Sequence, residues 1–397
     1  MLWQHWTLHM NRRVNRPLLL VMVVGALLRL PFFFAPHLEG DERDVYALVD
    51  QLAQGHFSLR NAPDIDRTSR RAAYVDAPLY HNPPGFYALG WLLRHVLGLK
   101  DLYVISYAAS LCSLWLAYRI AERIGGTWAA LVAAALLLCC PITALAAGKV
   151  WVEPSLGALS LALVHVGYAL RDRARLRMLE YCGIFILGAS ITLFKQTGLA
   201  VLPCVVLLAR TVQAPDVRRR FLLASVLGLL FGVLVFDLAH LWQTGSMIPR
   251  GAFPSSDPTN AFVRMLGQRN VLSLWLLPVL LMPLYVYGWC ALFTGVAELR
   301  PLLAWVGTAT AGITGLALLG IGTYHSKYIA FTMPALAVAS GCELARRFVE
   351  STPSQRMLLA IGFAYSAVLL GFVTFSHPEL AEIDPRFVFP VFERLPW

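Results

Sequence analysis

Three stretches of this chain, Thr127 to Gly148, Val271 to Ala297 and Met357 to Ser376, carry no charged residue at all. Each is as long as the roughly 18–20 residues that cross a bilayer core, or longer. Runs of this kind exclude a soluble Rossmann or barrel enzyme, a disulfide scaffold and a disordered tail. Composition agrees: 58% of the 397 residues are apolar and only 14% charged, against about 25% charged in ordinary soluble domains. The fold class expected is an all-α polytopic membrane protein forming one membrane domain over 1–397.

Length and charge together place about eleven spans, near 17–36, 102–118, 127–148, 154–170, 179–194, 196–212, 221–242, 271–297, 301–323, 328–345 and 357–376. The segment 17–36 follows Arg12, Arg13 and Arg16 and is too long and too bulky at its end for a cleavable signal, so it is expected to be the first span. The expected outer segments are a first periplasmic loop at 37–101, a second at 243–270 and a short tail at 377–397. The seven cysteines all lie in apolar runs without metal-ligand spacing and read as small core residues.

The stretch 84–99 is apolar but contains Arg94 and His95. Its periodicity, with Phe86, Leu89, Leu93, Val96 and Leu97 on one face and Tyr87, Trp91, Arg94 and His95 on the other, predicts an interfacial helix. Charge counting supports that choice. If 84–99 does not span, the cytoplasmic segments hold Arg12, Arg13, Arg16, Arg119, Arg123, Arg171, Arg173, Arg175, Arg177, Arg210, Arg218, Arg219, Arg220, Arg300, Arg346, Arg347 and Arg356, which is 17 cations. Outside, beyond the long first loop, stand eight: Lys149, Lys195, Arg250, Arg264, Arg269, Lys327, Arg386 and Arg394. If 84–99 spans, the count becomes 11 inside and 14 outside. The positive-inside rule favours the first arrangement, with the N-terminus cytoplasmic. The net charge of +10 is then orientation-setting arginine, and nucleic acid is not an expected partner.

In that orientation the reactive side chains gather outside. Asp41 and Glu42 follow the first span and open a stretch where Val45, Leu48, Val49 and Leu52 recur at helical spacing, which predicts a juxtamembrane amphipathic helix. Carboxylates in its first turn are held ionised by the helix dipole and are suited to general-base work, although a solvated helix start has the same pattern. Tyr80-His81-Asn82-Pro83-Pro84-Gly85 ends the loop with a rigid turn that starts a second interfacial helix. Glu153 precedes Pro154 at the head of the fourth span, either as a reactive acid or as a helix-start carboxylate paired with Lys149. Lys195 interrupts apolar sequence between two spans, where an ammonium either meets a lipid-linked phosphate or snorkels to the headgroups. His325 and Lys327 are further donors on the same side. Asp237 and His240, one turn apart in the seventh span, read as a functional acid or as a pair of their own. No zinc or two-metal spacing is present, so no metal ligands are assigned, while Asp41, Glu42 and Glu153 could bind a divalent ion or work without one.

Together, Gly40-Asp41-Glu42 with Tyr46, His81-Asn82-Pro83-Pro84, Glu153, and Lys195 with Gly198-Leu199 resemble the GT-C class of membrane glycosyltransferases. The pattern is most similar to the protein O-mannosyltransferase and aminoarabinose (lipid A) transferase branch. Ser326-Lys327-Tyr328 leading to Pro334-Ala335-Leu336 resembles that branch's later basic-aromatic turn. The resemblance is good over 17–212 and thin beyond. It implies a polyprenyl-phosphate-linked sugar donor and transfer outside the cytoplasm to a lipid, glycan or protein acceptor, at the inner membrane. By position it implies catalytic Asp41, Glu42 and Glu153, donor-phosphate binding by Lys195, His325, Lys327 and Tyr328, and substrate positioning by Tyr46, His81 and Asn82. Two positions depart from the branch: Asp44 stands where it has a basic residue, and 377–397 stands where it has a soluble C-terminal domain. The rival class is a polytopic transporter or lipid-linked sugar flippase, which calls for related halves, and no internal repeat is seen. A non-catalytic assembly partner is the third reading.

Overall fold

The computed structural model describes residues 16–34, 40–56, 84–244, 283–294, 296–318 and 330–376. Among these residues every regular element is a helix. Chain order gives α1 (Arg16–Phe34), α2 (Gly40–Ala53), α3 (Pro84–Trp91) with a π-helical turn over Leu92–Val96, α4 (Tyr103–Leu138) and α5 (Pro141–Ala147). There follow α6 (Val152–Ala169), α7 (Met178–Phe194), a 3-10 turn (Gln196–Val201), α8 (Leu202–Thr211) and α9 (Pro215–Thr244). The last four are α10 (Val286–Thr294), α11 (Arg300–Leu318), α12 (Met333–Glu350) and α13 (Pro353–Ser376).

Among the described residues two helices, Tyr103–Leu138 and Pro215–Ala239, are long and apolar enough to cross a membrane. The first is two helices joined at Gly126, whose φ of 78° lies in the left-handed region that glycine occupies without steric cost. The break falls between the two sequence segments 102–118 and 127–148, and the second of these also takes in α5 after a short interruption at Cys139-Cys140. Residues 271–282 and 295 of the expected span at 271–297 lie outside the described residues, as do the loops 57–83, 245–282 and 319–329, while α10 forms within its second half.

The bundle is packed by close backbone approach. α12 lies along α4, and α7 along α9. In the second pair, Gly228 and Gly232 form a small-xxx-small stripe. A Cβ at Gly228 would stand 3.0 Å from the Ala189 nitrogen, and one at Gly232 would meet the backbone of Ala189 and Leu193. Opposite them a Cβ at Gly188 would be 2.9 Å from the Ser225 carbonyl oxygen. The other face of α9 turns outward with Leu223, Leu227, Leu230, Leu234, Leu238 and Leu241 exposed at three- and four-residue intervals. A soluble protein would bury such a stripe; lipid accepts it.

A cation is buried inside the bundle. Arg29 of α1 is 1% exposed and donates from Nε to Ser110 Oγ at 2.7 Å, with the Gly25 and Leu137 carbonyls at 3.4 and 3.5 Å from its terminal nitrogens.

A smaller cluster caps one end. Val45, Leu48 and Val49 of α2 pack on Phe86 and Tyr87 of α3, together with Leu102, Ile105 and Val150. The amphipathic periodicity at 45–52 is thus the contact face. In α3 the expected faces are altered: Tyr87 is buried beside Phe86, while Trp91, Leu92, Val96 and Leu97 are exposed. The π-helical turn inserts an extra residue per turn after Trp91, so side chains beyond it leave the register set by Phe86.

Candidate active site

The capping cluster places α2 and α3 over the end of α7, where Lys195 breaks the helix. Lys195 has extended backbone (φ −166°, ψ 133°) between α7 and the 3-10 turn, which ends the helix at this residue. Its Nζ lies 2.5 Å from Glu153 Oε1. Glu153 is in the first turn of α6, where unsatisfied N–H groups favour a carboxylate, and it is 4% exposed. The two groups come from sequence positions 42 apart and form a charge-assisted hydrogen bond with restricted water access. Glu153 therefore pairs with Lys195, not with Lys149.

Lys149 instead meets Glu42. Glu42 Oε1 accepts a hydrogen bond from the Val150 N–H at 2.6 Å, and Oε2 stands 3.7 Å from Lys149 Nζ. The carboxylate is 1% exposed. One side chain of α2 thereby ties the helix to residues 149–150, three positions before Glu153. Asp41 occupies the first turn of the same helix.

Tyr46 also faces the protein. Its oxygen accepts a hydrogen bond from the Leu102 N–H at 2.8 Å, and the Arg94 guanidinium lies 5.2 Å from its ring centroid. Burial pushes the phenol's pKa up, offset in part by the Leu102 hydrogen bond, so the group stays neutral. Arg94 forks onto both oxygens of Asp50 at 2.6 and 3.1 Å, and His95 Nε2 is 3.2 Å from the same carboxylate. These contacts lock α2 to the π-helical turn.

Pro84 and Gly85 start α3 against the Lys195 break. A Cβ at Gly85 would stand 3.1 Å from the Leu193 backbone, so the helix start sits directly on the chain two residues before the lysine. Phe86 meets Phe194 edge to face at 6.1 Å. On the far side of the break, Gln196 Nε2 donates to Asp237 Oδ1 of α9 at 3.0 Å. Asp237 is therefore paired with Gln196, while the side chain of His240 lies outside the described residues. Behind Glu153 is a cavity of about 20 Å³ bordered by Ser110, Ser113, Thr143 and Pro334, room for about one water.

The structure thus brings together Glu42, Tyr46, Glu153 and Lys195 at one end of the bundle. His81, Asn82, His325, Lys327 and Tyr328 lie outside the described residues. Among the described residues no group of three or more His, Cys, Asp or Glu side chains gathers to hold a metal ion. Sequence reasoning missed the Glu42–Lys149 pair and Gln196. The first was detectable by the argument used for Lys195, since Lys149 is likewise a cation set in apolar sequence at an expected span end.

The sequence matches no protein-family model and no curated protein. The fold does have solved counterparts. ArnT from Cupriavidus metallidurans in the apo state superposes with a TM-score of 0.58 at 17% identity, over 95% of this chain and 67% of that one. The same protein bound to undecaprenyl phosphate gives 0.54 at 17% identity, over 87% of this chain and 62% of that one. The archaeal oligosaccharyltransferase AglB from Archaeoglobus fulgidus, in complex with an inhibitory peptide and a dolichol-phosphate, gives 0.50 at 12% identity over 92% of this chain. The fold is that of the GT-C glycosyltransferases. The chain spans 55% to 67% of the length of these proteins.

Proposed function

We propose that the chain is a membrane glycosyltransferase that moves a sugar from a polyprenyl-phosphate-linked donor to an extracytoplasmic acceptor, with inversion at the anomeric carbon. The observation that carries the reading is the Lys195–Glu153 pair, an ammonium and a carboxylate held 2.5 Å apart at a helix break under two interfacial helices. A GT-C fold, with solved counterparts bound to undecaprenyl phosphate or dolichol-phosphate, supports it. In this reading about eleven spans cross the inner membrane, the N-terminus is cytoplasmic and the site faces the periplasm.

The donor's isoprenoid stays in the bilayer and its phosphate sits at the interface beside Lys195. Asp41 takes the proton of the acceptor hydroxyl or amine as its oxygen or nitrogen attacks the anomeric carbon. The bond from that carbon to the phosphate oxygen breaks, and the electron pair leaves with the polyprenyl phosphate. Lys195, joined by His325, Lys327 and Tyr328, stabilises the growing charge. Glu153 holds the lysine in place before the donor arrives. Glu42, with its oxygens turned to Val150 and Lys149, fixes the height of α2 and so of Asp41, while substrate positioning is assigned to Tyr46, His81 and Asn82.

The test is transfer by the purified chain from undecaprenyl-phosphate-linked sugar, with Asp41→Asn as the critical variant. Loss of turnover with normal membrane insertion is expected; wild-type turnover by the variant overturns the assignment of the base. Mass spectrometry of surface lipids and glycans with and without the chain then identifies sugar and acceptor.

A further inference from the structure

Beside the phosphate-binding lysine lies a second polar pair that the reaction as described does not use. Asp237 is a carboxylate in α9, flanked by exposed Leu234 and Leu238 on the same helix. An acid inside an apolar helix needs a partner. Its partner here is neutral: Gln196 Nε2 reaches Oδ1 at 3.0 Å. Among the described residues no cation pairs with Asp237, and its Oδ2 and the Gln196 carbonyl oxygen accept no hydrogen bond from another side chain.

The placement is set by the backbone. The Gly228 and Gly232 stripe brings α9 against the last turns of α7 at Ala189 and Leu193. One and a half turns beyond Gly232, Asp237 comes level with residue 196, the neighbour of Lys195. Adjacent Cα atoms are about 3.8 Å apart, so the amide starts within one residue of the lysine's own attachment. In a polyprenyl monophosphate-linked sugar the ring is bonded directly to the phosphate. A phosphate at Lys195 therefore carries its sugar ring within reach of this pair.

We propose that Asp237 and Gln196 are the sugar-recognition subsite of the donor, accepting hydrogen bonds from donor groups on the sugar ring. The inference rests on Lys195 taking the donor phosphate. A carboxylate and an amide side by side present two acceptors and one N–H, which fits adjacent ring hydroxyls, or a hydroxyl and an ammonium.

The experiment measures binding of three probes to the full-length purified chain in lipid nanodiscs: undecaprenyl phosphate, undecaprenyl phosphate carrying glucose, and undecaprenyl phosphate carrying 4-amino-4-deoxyarabinose. Asp237→Ala is expected to weaken at least one sugar-bearing probe about 10- to 100-fold, the loss of a charged hydrogen bond, and to leave undecaprenyl phosphate within about twofold of wild type. Gln196→Ala gives a smaller loss of the same pattern. Asp237→Asn separates the two chemistries: it retains most binding of the glucose probe and loses the amino-sugar probe if an ammonium is read. Equal weakening of all three probes by Asp237→Ala, or no weakening of either sugar probe, overturns the proposal. Lys195→Met is expected to weaken all three. A wild-type chain that binds none of them removes the donor reading itself, which is a different result from a sugar-blind Asp237.

Discussion

Lys195 and Glu153 meet at 2.5 Å although 42 residues separate them in sequence, the lysine at the end of α7 and the carboxylate in the first turn of α6. The pair has a cost and a use. An ammonium in this position without a counterion is disfavoured, and Glu153 stabilises it until a phosphate replaces the carboxylate. Removing either partner leaves the other charge poorly compensated. Glu153→Gln and Lys195→Met are each expected to lower transfer by about 10² to 10³-fold, the range found when one charge-stabilising donor is lost. The double variant should be hardly worse than the single ones, because the residues act as a unit. Steady-state transfer kinetics of the four proteins check this; additive losses sink it.

The Glu42 clamp makes a separate forecast. With the carboxylate buried against Val150 N–H and Lys149, Glu42→Ala removes both an acceptor and a counterion. Breaking a buried pair from one side costs about 3–5 kcal/mol. Glu42→Gln keeps an acceptor for Val150 and should lose less. Thermal melts in detergent are the measurement, and an Glu42→Ala protein as stable as wild type refutes the clamp.

How much of this was legible in the sequence depends on range. The all-helical class, the amphipathic face of Val45, Leu48 and Val49, and the helix start at Pro84 follow from composition and local periodicity, and the structure has them. Lys195 and Glu153 were each visible as a charge out of place. Their pairing was not, because partner choice depends on how α6 and α7 pack, and a sequence gives no distance between helices. For Glu153 the local candidate was Lys149, four residues away. It lost because α2 brings Glu42 to that lysine. Val96 and Leu97 left the expected Phe86 face for another reason: the π-helical turn after Trp91 breaks a 3.6-residue period that pattern reading takes as constant.

Gly85 is where the loop motif touches the site. A Cβ there stands 3.1 Å from the Leu193 backbone, which has no side-chain rotamer to move aside. Gly85→Val should lift the start of α3 off the Lys195 break and cost about 1–3 kcal/mol as overpacking. Transfer should fall more than stability does, since the displaced segment lies over Lys195. Ala88→Val, at an exposed position of the same helix, is the control and should change stability by no more than about 0.5 kcal/mol. Equal activity in the two variants counts against the contact.

Arg29 is a further buried charge, and its partners decide what its removal does. Ser110 Oγ and two carbonyls are neutral, so Arg29→Met orphans no opposite charge among the described residues. The Leu137 carbonyl also keeps a hydrogen bond from Thr143 Oγ1 at 3.1 Å. The loss is then a few hydrogen bonds, about 1–3 kcal/mol, partly offset because the guanidinium no longer has to be desolvated. Ser110→Ala is the harsher test for its size: it leaves the arginine buried with Nε unpaired, and should cost about as much as removing the whole side chain. In the Arg29→Met background the same Ser110→Ala change should cost close to nothing, since its partner is gone. Arg29→Glu, which sets a negative charge against two carbonyl oxygens, should prevent accumulation of folded protein. Melting temperatures of the Arg29→Met and Ser110→Ala cycle provide the measurement. If the serine change costs the same in both backgrounds, the bond between Arg29 and Ser110 carries no stability.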